Sequence, residues 1–154
     1  MSDPVVAAVT EVLEHGIPLT GFMGVRVAAW DGQELRLEAP YDRNRNHKGS
    51  VFGGSIAALA TVTGWTAAEM LLRSNGLDAG LVIYRSELRY RLPVTDAVVV
   101  SRCRLPPPAD VTRFLRDFGR LGRASLELKM EVLQNGRAAV RYSGEYVARR
   151  EGNR

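Results

Sequence analysis

Cysteine is nearly absent from this chain. Among 154 residues only Cys103 carries a thiol. That excludes a disulfide framework and a cysteine-based zinc site, and it is compatible with a reducing compartment. Histidine is scarce as well. His15 and His47 stand too far apart to give metal-ligand spacing, so no metal is expected. Aromatic residues make up 7% and are not interleaved with basic ones. A net charge of +4 suits an anionic partner, but without stacking residues nucleic acid is not the expected one. Residues 1–13 include Asp3 and Glu11 and lack the basic start and apolar centre of a secretory signal, so the expected location is the cytoplasm. Only one long apolar run exists, Val51 to Leu72. It carries three glycines and three threonines, and no second run follows, so a membrane span is not expected. What is present is ordinary: 45% hydrophobic and 25% charged residues, enough for one folded domain over 1–154.

Asp3-Pro4 followed by Val5, Ala8, Val9 and Val12 predicts a short helix ended by Gly16. Alternating residues on both sides of Asp31-Gly32 predict a hairpin, stopped at Pro40. Tyr41 to Ser50 reads as a polar loop. From Ser55 to about Arg73 the chain is apolar nearly all round, which is the pattern of a buried helix, with only Thr66, Glu69 and Arg73 facing water. The period then becomes two. Val82, Tyr84, Ser86, Leu88, Tyr90 and Leu92 alternate with Ile83, Arg85, Glu87, Arg89 and Arg91. A strand from Val98 to Leu105 follows, then a short helix capped by Asp110. Two strands meet at Asn135-Gly136, and 151–154 reads as a frayed tail. The order is hairpin, helix, four strands. It predicts an α+β domain in which an antiparallel sheet wraps a central helix of ~30 Å. The sheet edges would stay open, and residues 80–92 are the candidate seam between two copies.

The junction before the helix can carry chemistry. Gly53 and Gly54 allow close backbone approach and present unpaired N–H groups where the helix dipole favours negative charge. An oxyanion developing from a carbonyl would be stabilised there. Asn46 could orient the carbonyl or a water. Equally, the glycines could serve tight packing, with Asn44 and Asn46 shaping a turn.

Asn46-His47-Lys48-Gly49-Ser50-Val51-Phe52-Gly53-Gly54-Ser55 before an Ala-rich helix resembles the hotdog-fold acyl-thioesterase signature. Pro40, Asn44-Arg45-Asn46, Gly49, Phe52-Gly53-Gly54-Ser55 and Gly64-Trp65 resemble more particularly the thioesterase family typified by the C-terminal domain of the bacterial YiiD protein. Tyr90-Arg91-Leu92-Pro93 is similar to the strand end of hotdog proteins. The resemblance implies a dimer, or a tetramer, that hydrolyses an acyl thioester of coenzyme A or of an acyl-carrier protein. No cofactor is implied beyond the coenzyme A or phosphopantetheine of the substrate. Asn46, Gly53, Gly54 and Thr61 would be the catalytic positions. Substrate would lie against Asn44, Phe52, Ser55, Ile56, Leu59 and Trp65, with its phosphates at Arg89 and Arg91. Two departures stand out. Phe52 replaces the usual histidine before the glycines. Thr61 stands where related thioesterases carry a carboxylate on the helix. Thr61 lies ~10 Å along the helix from Gly54, so one helix cannot supply both to one carbonyl. The resemblance implies that Thr61 comes from the other subunit, holding water by its hydroxyl. Alternatively it bonds the carbonyl four residues back. The base is open between Asp42, a facing residue such as Glu87, and none. A non-catalytic acyl-CoA or acyl-carrier binding module is the second reading. A third is a hydratase, because Asp42-x-Asn44-x-x-His47 imitates a hotdog hydratase motif, with Arg45 where that motif has proline.

Overall fold

The computed structural model describes residues 3–152. Helix α1 (Pro4–Glu11) is capped by Asp3, whose carboxylate accepts from Val5 N at 2.8 Å. It does not simply stop at Gly16. The chain widens into a π-helical turn over Val12–Gly16 and re-enters a helix, α2 (Pro18–Met23), that the residue pattern did not announce. Six residues are too few for a helical period to show. The cue was Pro18 behind the extended Ile17. Thr20 anchors α2 by donating to Leu13 O at 2.6 Å.

Strands β1 (Arg26–Trp30) and β2 (Glu34–Pro40) form the expected hairpin, with Asp31 Oδ1 accepting from Gln33 N and Glu34 N. The expected loop contains one helical turn, α3 (Tyr41–Asn44). The central helix α4 (Gly53–Ser74) starts at the glycines rather than at Ser55. Then come β3 (Gly80–Tyr90), β4 (Val98–Arg104), α5 (Pro108–Leu121), β5 (Arg123–Gln134) and β6 (Arg137–Arg149). Asn135 and Gly136 turn between β5 and β6 with positive φ, as anticipated. Asp110 does not cap α5. Pro107 precedes the helix, and Asp110 instead pairs with Arg113 at 2.9 Å. Of the expected tail, Asn153 and Arg154 lie outside the described residues.

The six strands form one antiparallel sheet in the order β1-β2-β4-β5-β6-β3, packed against α4. Helix α4 is long and apolar enough to cross a membrane, but most of it is buried inside this fold. Its core residues include Ile56, Leu59, Ala60, Ala67, Met70 and Leu72, which meet Leu35, Leu37, Val99, Leu128 and Met130 from the strands in one cluster. Thr66 and Glu69 were expected to face water and do not. Both are buried, and Glu69 accepts from Arg73 Nε at 2.6 Å one turn on.

Strand β3 forms one edge of the sheet and departs from strict alternation. Between Ile83 and Arg85 its register on β6 slips, so Tyr84 has no opposite residue. This bulge turns Ile83, opposite the buried Tyr146, to the same side as Ser86, Leu88 and Tyr90. Arg85, Glu87 and Arg89 face the other way. Tyr84 itself is 73% exposed on the edge, and Val82 is exposed beside it.

Candidate active site

The loop before α4 is a self-contained clasp. Asn46 Oδ1 accepts from Lys48 N at 2.8 Å and Ser50 N at 3.2 Å, and its amide donates to Ser50 Oγ at 2.8 Å. The main chain adds Asn46 N to Ser50 O at 2.7 Å and a bridge between Arg45 and Val51. Val51 N then donates to Val94 O, stitching the loop to the segment before β4. The Asn46 side chain is therefore engaged in building this turn.

Asn44 works from underneath. It is buried and donates to Met23 O at 2.9 Å and Pro40 O at 2.8 Å, holding α2 against the end of β2. Among the described residues its Oδ1 has no partner. Its main-chain carbonyl accepts from Phe52 N at 2.7 Å, which sets the angle at which the chain enters α4. Asn44 thus supports the junction from inside and does not line its surface.

Phe52 is the residue before α4 and offers no capping group. The first helical bond runs from Ile56 N to Phe52 O at 3.1 Å. Among the described residues, the N–H groups of Gly53, Gly54 and Ser55 have no acceptor. An uncapped start whose first residues lack bulk is a ready site for an oxyanion. Two aromatic rings flank it. Phe52 is 56% exposed and lies on Gly54 so closely that a Cβ there would fall 2.4 Å from the ring. Tyr90, at the end of β3, donates its hydroxyl to Gly53 O at 3.0 Å and is 55% exposed. The residue pattern places Tyr90 only near the end of a strand. Its place at the junction follows from sheet register, which no local pattern revealed.

Farther along α4, Gly54, Ala57, Ala58, Thr61 and Trp65 recur at helical spacing as an incompletely covered stripe. Ile56 and Leu59, expected along the acyl chain, are core residues on the other side of the helix. Thr61 Oγ lies 2.7 Å from Ala57 O and 3.0 Å from the Tyr142 hydroxyl. One hydroxyl proton cannot serve both. With Thr61 donating to Ala57 O, the Tyr142 hydroxyl donates to Thr61 Oγ. The helix-internal bond anticipated for Thr61 is present, joined to a buried tyrosine from β6. Beside it Tyr146 is fully buried, and burial and its neighbour Tyr142 push its phenol up, so it stays protonated.

The other candidates lie apart. Glu87 and Arg89 pair with each other at 3.2 Å on the outer face of the sheet, away from α4. There Arg89 stands directly opposite Arg141 and borders an open trough of about 810 Å³ with Arg102, Arg104 and Lys129. Arg91 is exposed just beyond β3, next in sequence to Tyr90. Asp42 and His47 are exposed in the loop while Asn44 is buried, so the three hydratase-like residues do not share one surface.

A six-stranded antiparallel sheet around one long helix, entered through a glycine pair, defines a hotdog-fold protein. The family model described as "Putative thioesterase (yiiD_Cterm)" matches residues 6–150, and the chain belongs to that family. Solved structures agree on the fold. A protein of unknown function from Chlorobaculum tepidum TLS superposes with a TM-score of 0.92 at 22% identity, covering 96% of this chain and 95% of its own. A "putative thioesterase" from Shewanella oneidensis gives 0.82 at 23%, covering 96% and 99%. A Pseudomonas aeruginosa protein described as a "Probable Thioesterase" gives 0.80 at 21%, covering 98% and 99%.

Proposed function

We propose that this protein hydrolyses an acyl thioester carried by coenzyme A or by an acyl-carrier protein. The observation that carries the reading is the start of α4, where three unpaired N–H groups sit between two exposed aromatic rings. The thioester oxygen meets the Gly53 and Gly54 N–H groups. Water adds to the carbonyl carbon, and the negative charge that gathers on oxygen is held by those donors and the helix dipole. Collapse of the adduct breaks the C–S bond; one proton of the added water goes to the leaving sulfur and the other to solvent, so a thiol and a carboxylate are released. The acyl chain runs over Phe52 and down the stripe toward Trp65. Ser55 lies beside the carbonyl, and the carrier's phosphates meet Arg91, exposed just beyond Tyr90, while Arg89 on the outer face of the sheet is left out of this path.

The working unit in this reading is a homodimer. The open, partly apolar edge of β3 suits pairing with a second copy, and Thr61 of the other subunit then faces the carbonyl and holds the water. The cytoplasm is the proposed location.

One observation favours the second reading, a binding module without turnover. Both hydroxyl partners of Thr61 lie inside the chain, and no carboxylate lies on the stripe. Incubation with a panel of acyl-CoA and acyl-carrier thioesters, following free thiol, separates the readings. Thiol release that is lost in Asn46→Ala supports hydrolysis. Saturable binding without release supports the module. Hydration of an enoyl group with the thioester retained supports a hydratase.

A further inference from the structure

The peptide joining Gly53 to Gly54 is addressed at one end and vacant at the other. Its carbonyl oxygen, on Gly53, accepts from the Tyr90 hydroxyl at 3.0 Å. Its N–H, on Gly54, is among the donors without an acceptor. Oxygen and nitrogen belong to one resonance system. A donor on the oxygen draws electron density from the nitrogen and makes the N–H a stronger donor, as hydrogen bonds in a chain do. The same bond holds the peptide plane in place.

Simple tethering does not explain the contact. Strand β3 is already paired with β6 along its length. The Tyr90 ring reaches Gly53 at ordinary contact, 3.7 Å from where a Cβ would stand, so the ring is not wedged there. Its exposed hydroxyl could bond water instead with little change in stability.

We propose that Tyr90 is a positioning residue: its hydroxyl orients and polarises the Gly53–Gly54 peptide, making the Gly54 N–H the leading donor to the thioester oxygen. This rests on the hydrolytic reading above. Tyr90 acts through the peptide and does not touch the reacting atoms.

The test compares wild type, Tyr90→Phe and Tyr90→Ala. Tyr90→Phe keeps the ring and removes only the hydroxyl. One oxyanion donor carries a rate factor of roughly 10²–10³, and a bond on the same chain strengthens it by roughly 10–30%, so kcat should fall about 2- to 8-fold with KM unchanged. The effect belongs to the step in which charge reaches the oxygen, which a general structural role would not single out. The Gly54 amide proton should move upfield in the NMR spectrum of Tyr90→Phe while amides in β5 stay in place. Tyr90→Ala should lose at least as much kcat. An unchanged kcat, or a raised KM with unchanged kcat, overturns the proposal. If wild type releases no thiol from any thioester, the hydrolytic reading fails, and the Gly54 shift still decides whether Tyr90 polarises the peptide. An unmoved Gly54 amide overturns that too.

Discussion

Tyr146 reaches from β6 into the middle of α4 and donates its hydroxyl to the main-chain carbonyl of Thr61 at 2.7 Å. The space for it exists because Gly64 has no side chain. A Cβ on Gly64 would fall 2.2 Å from the tyrosine oxygen and 2.4 Å from the ring carbon bearing it. Helix and sheet are thereby joined at one point, three residues along α4 from Thr61.

Gly64→Ala should therefore be costly. Tyr146 is fully buried and cannot swing into solvent, so the clash must be relieved by moving helix against sheet. Overpacking of this kind costs about 1–3 kcal/mol. Urea denaturation should give a lower midpoint with an unchanged slope. A midpoint equal to that of wild type would mean the ring has room the structure does not provide.

Gly54→Ala faces an equally short contact, but with the far end of Phe52, an exposed ring free to rotate away. The stability cost should stay below about 1 kcal/mol, the size of an off-rotamer adjustment. Activity should suffer more, because the displaced ring and the new methyl group crowd the N–H donors. Thiol release measured beside thermal unfolding separates the two effects. A large loss of stability would place Phe52 in a tighter socket than described.

Thr61→Val keeps the shape and removes the hydroxyl. The buried Tyr142 hydroxyl then loses its acceptor, at about 1–3 kcal/mol. If Thr61 also holds the attacking water, turnover should fall by ~10-fold or more at temperatures where the variant remains folded. Reduced stability with an unchanged rate would assign Thr61 to the helix–sheet contact alone.

Asn46→Ala removes three side-chain bonds within the clasp. Hydrogen exchange at the Lys48 and Ser50 amides should accelerate, with amides in α4 beyond Ile56 unaffected. Asn46→Asp retains the acceptor for both amides and should exchange at an intermediate rate. Protection unchanged in both variants would show that the main-chain bonds alone shape the loop.

Alkaline stability should depend on Cys103. Burial pushes its thiol from 9.0 up to about 12. The folded chain therefore holds this proton between about pH 9 and 12, where the unfolded chain has released it. Stability is full below pH 9 and declines as pH rises toward 12. Urea midpoints between pH 8 and 11 should fall, and Cys103→Ala should show a shallower decline. For the same reason the native thiol should be inert to thiol reagents at pH 8 and react only on unfolding. Fast labelling of folded protein would contradict its burial.

The central helix, the hairpin at Asp31-Gly32 and the turn at Asn135-Gly136 were legible because each is specified within a few neighbouring residues. The glycine pair was legible as the entry to that helix for the same reason, although the pattern put the first helical residue at Ser55. The bulge at Tyr84 was not, since it exists only as a register slip against β6. Asn46 and Asn44 were recognised as residues able to shape a turn, which Asn46 does, but not that Ser50 is its partner or that Asn44 faces inward. Those roles depend on Ser50, Met23 and Pro40 being brought close. Ile56 and Leu59 show the limit most plainly. An all-round apolar helix does not declare which side the sheet covers, and these two lie on the covered side.

From its residues alone this chain determined one apolar helix, strands of period two and an uncapped helix entry of two glycines. Local backbone preference and hydrophobic spacing suffice for that. Only the tertiary structure decided that Tyr90 meets Gly53, that Tyr142 and Tyr146 converge on Thr61, and which stripe of α4 stays open. Strand order and register bring residues dozens of positions apart within bonding distance, and nothing in either local segment encodes the partner it will find.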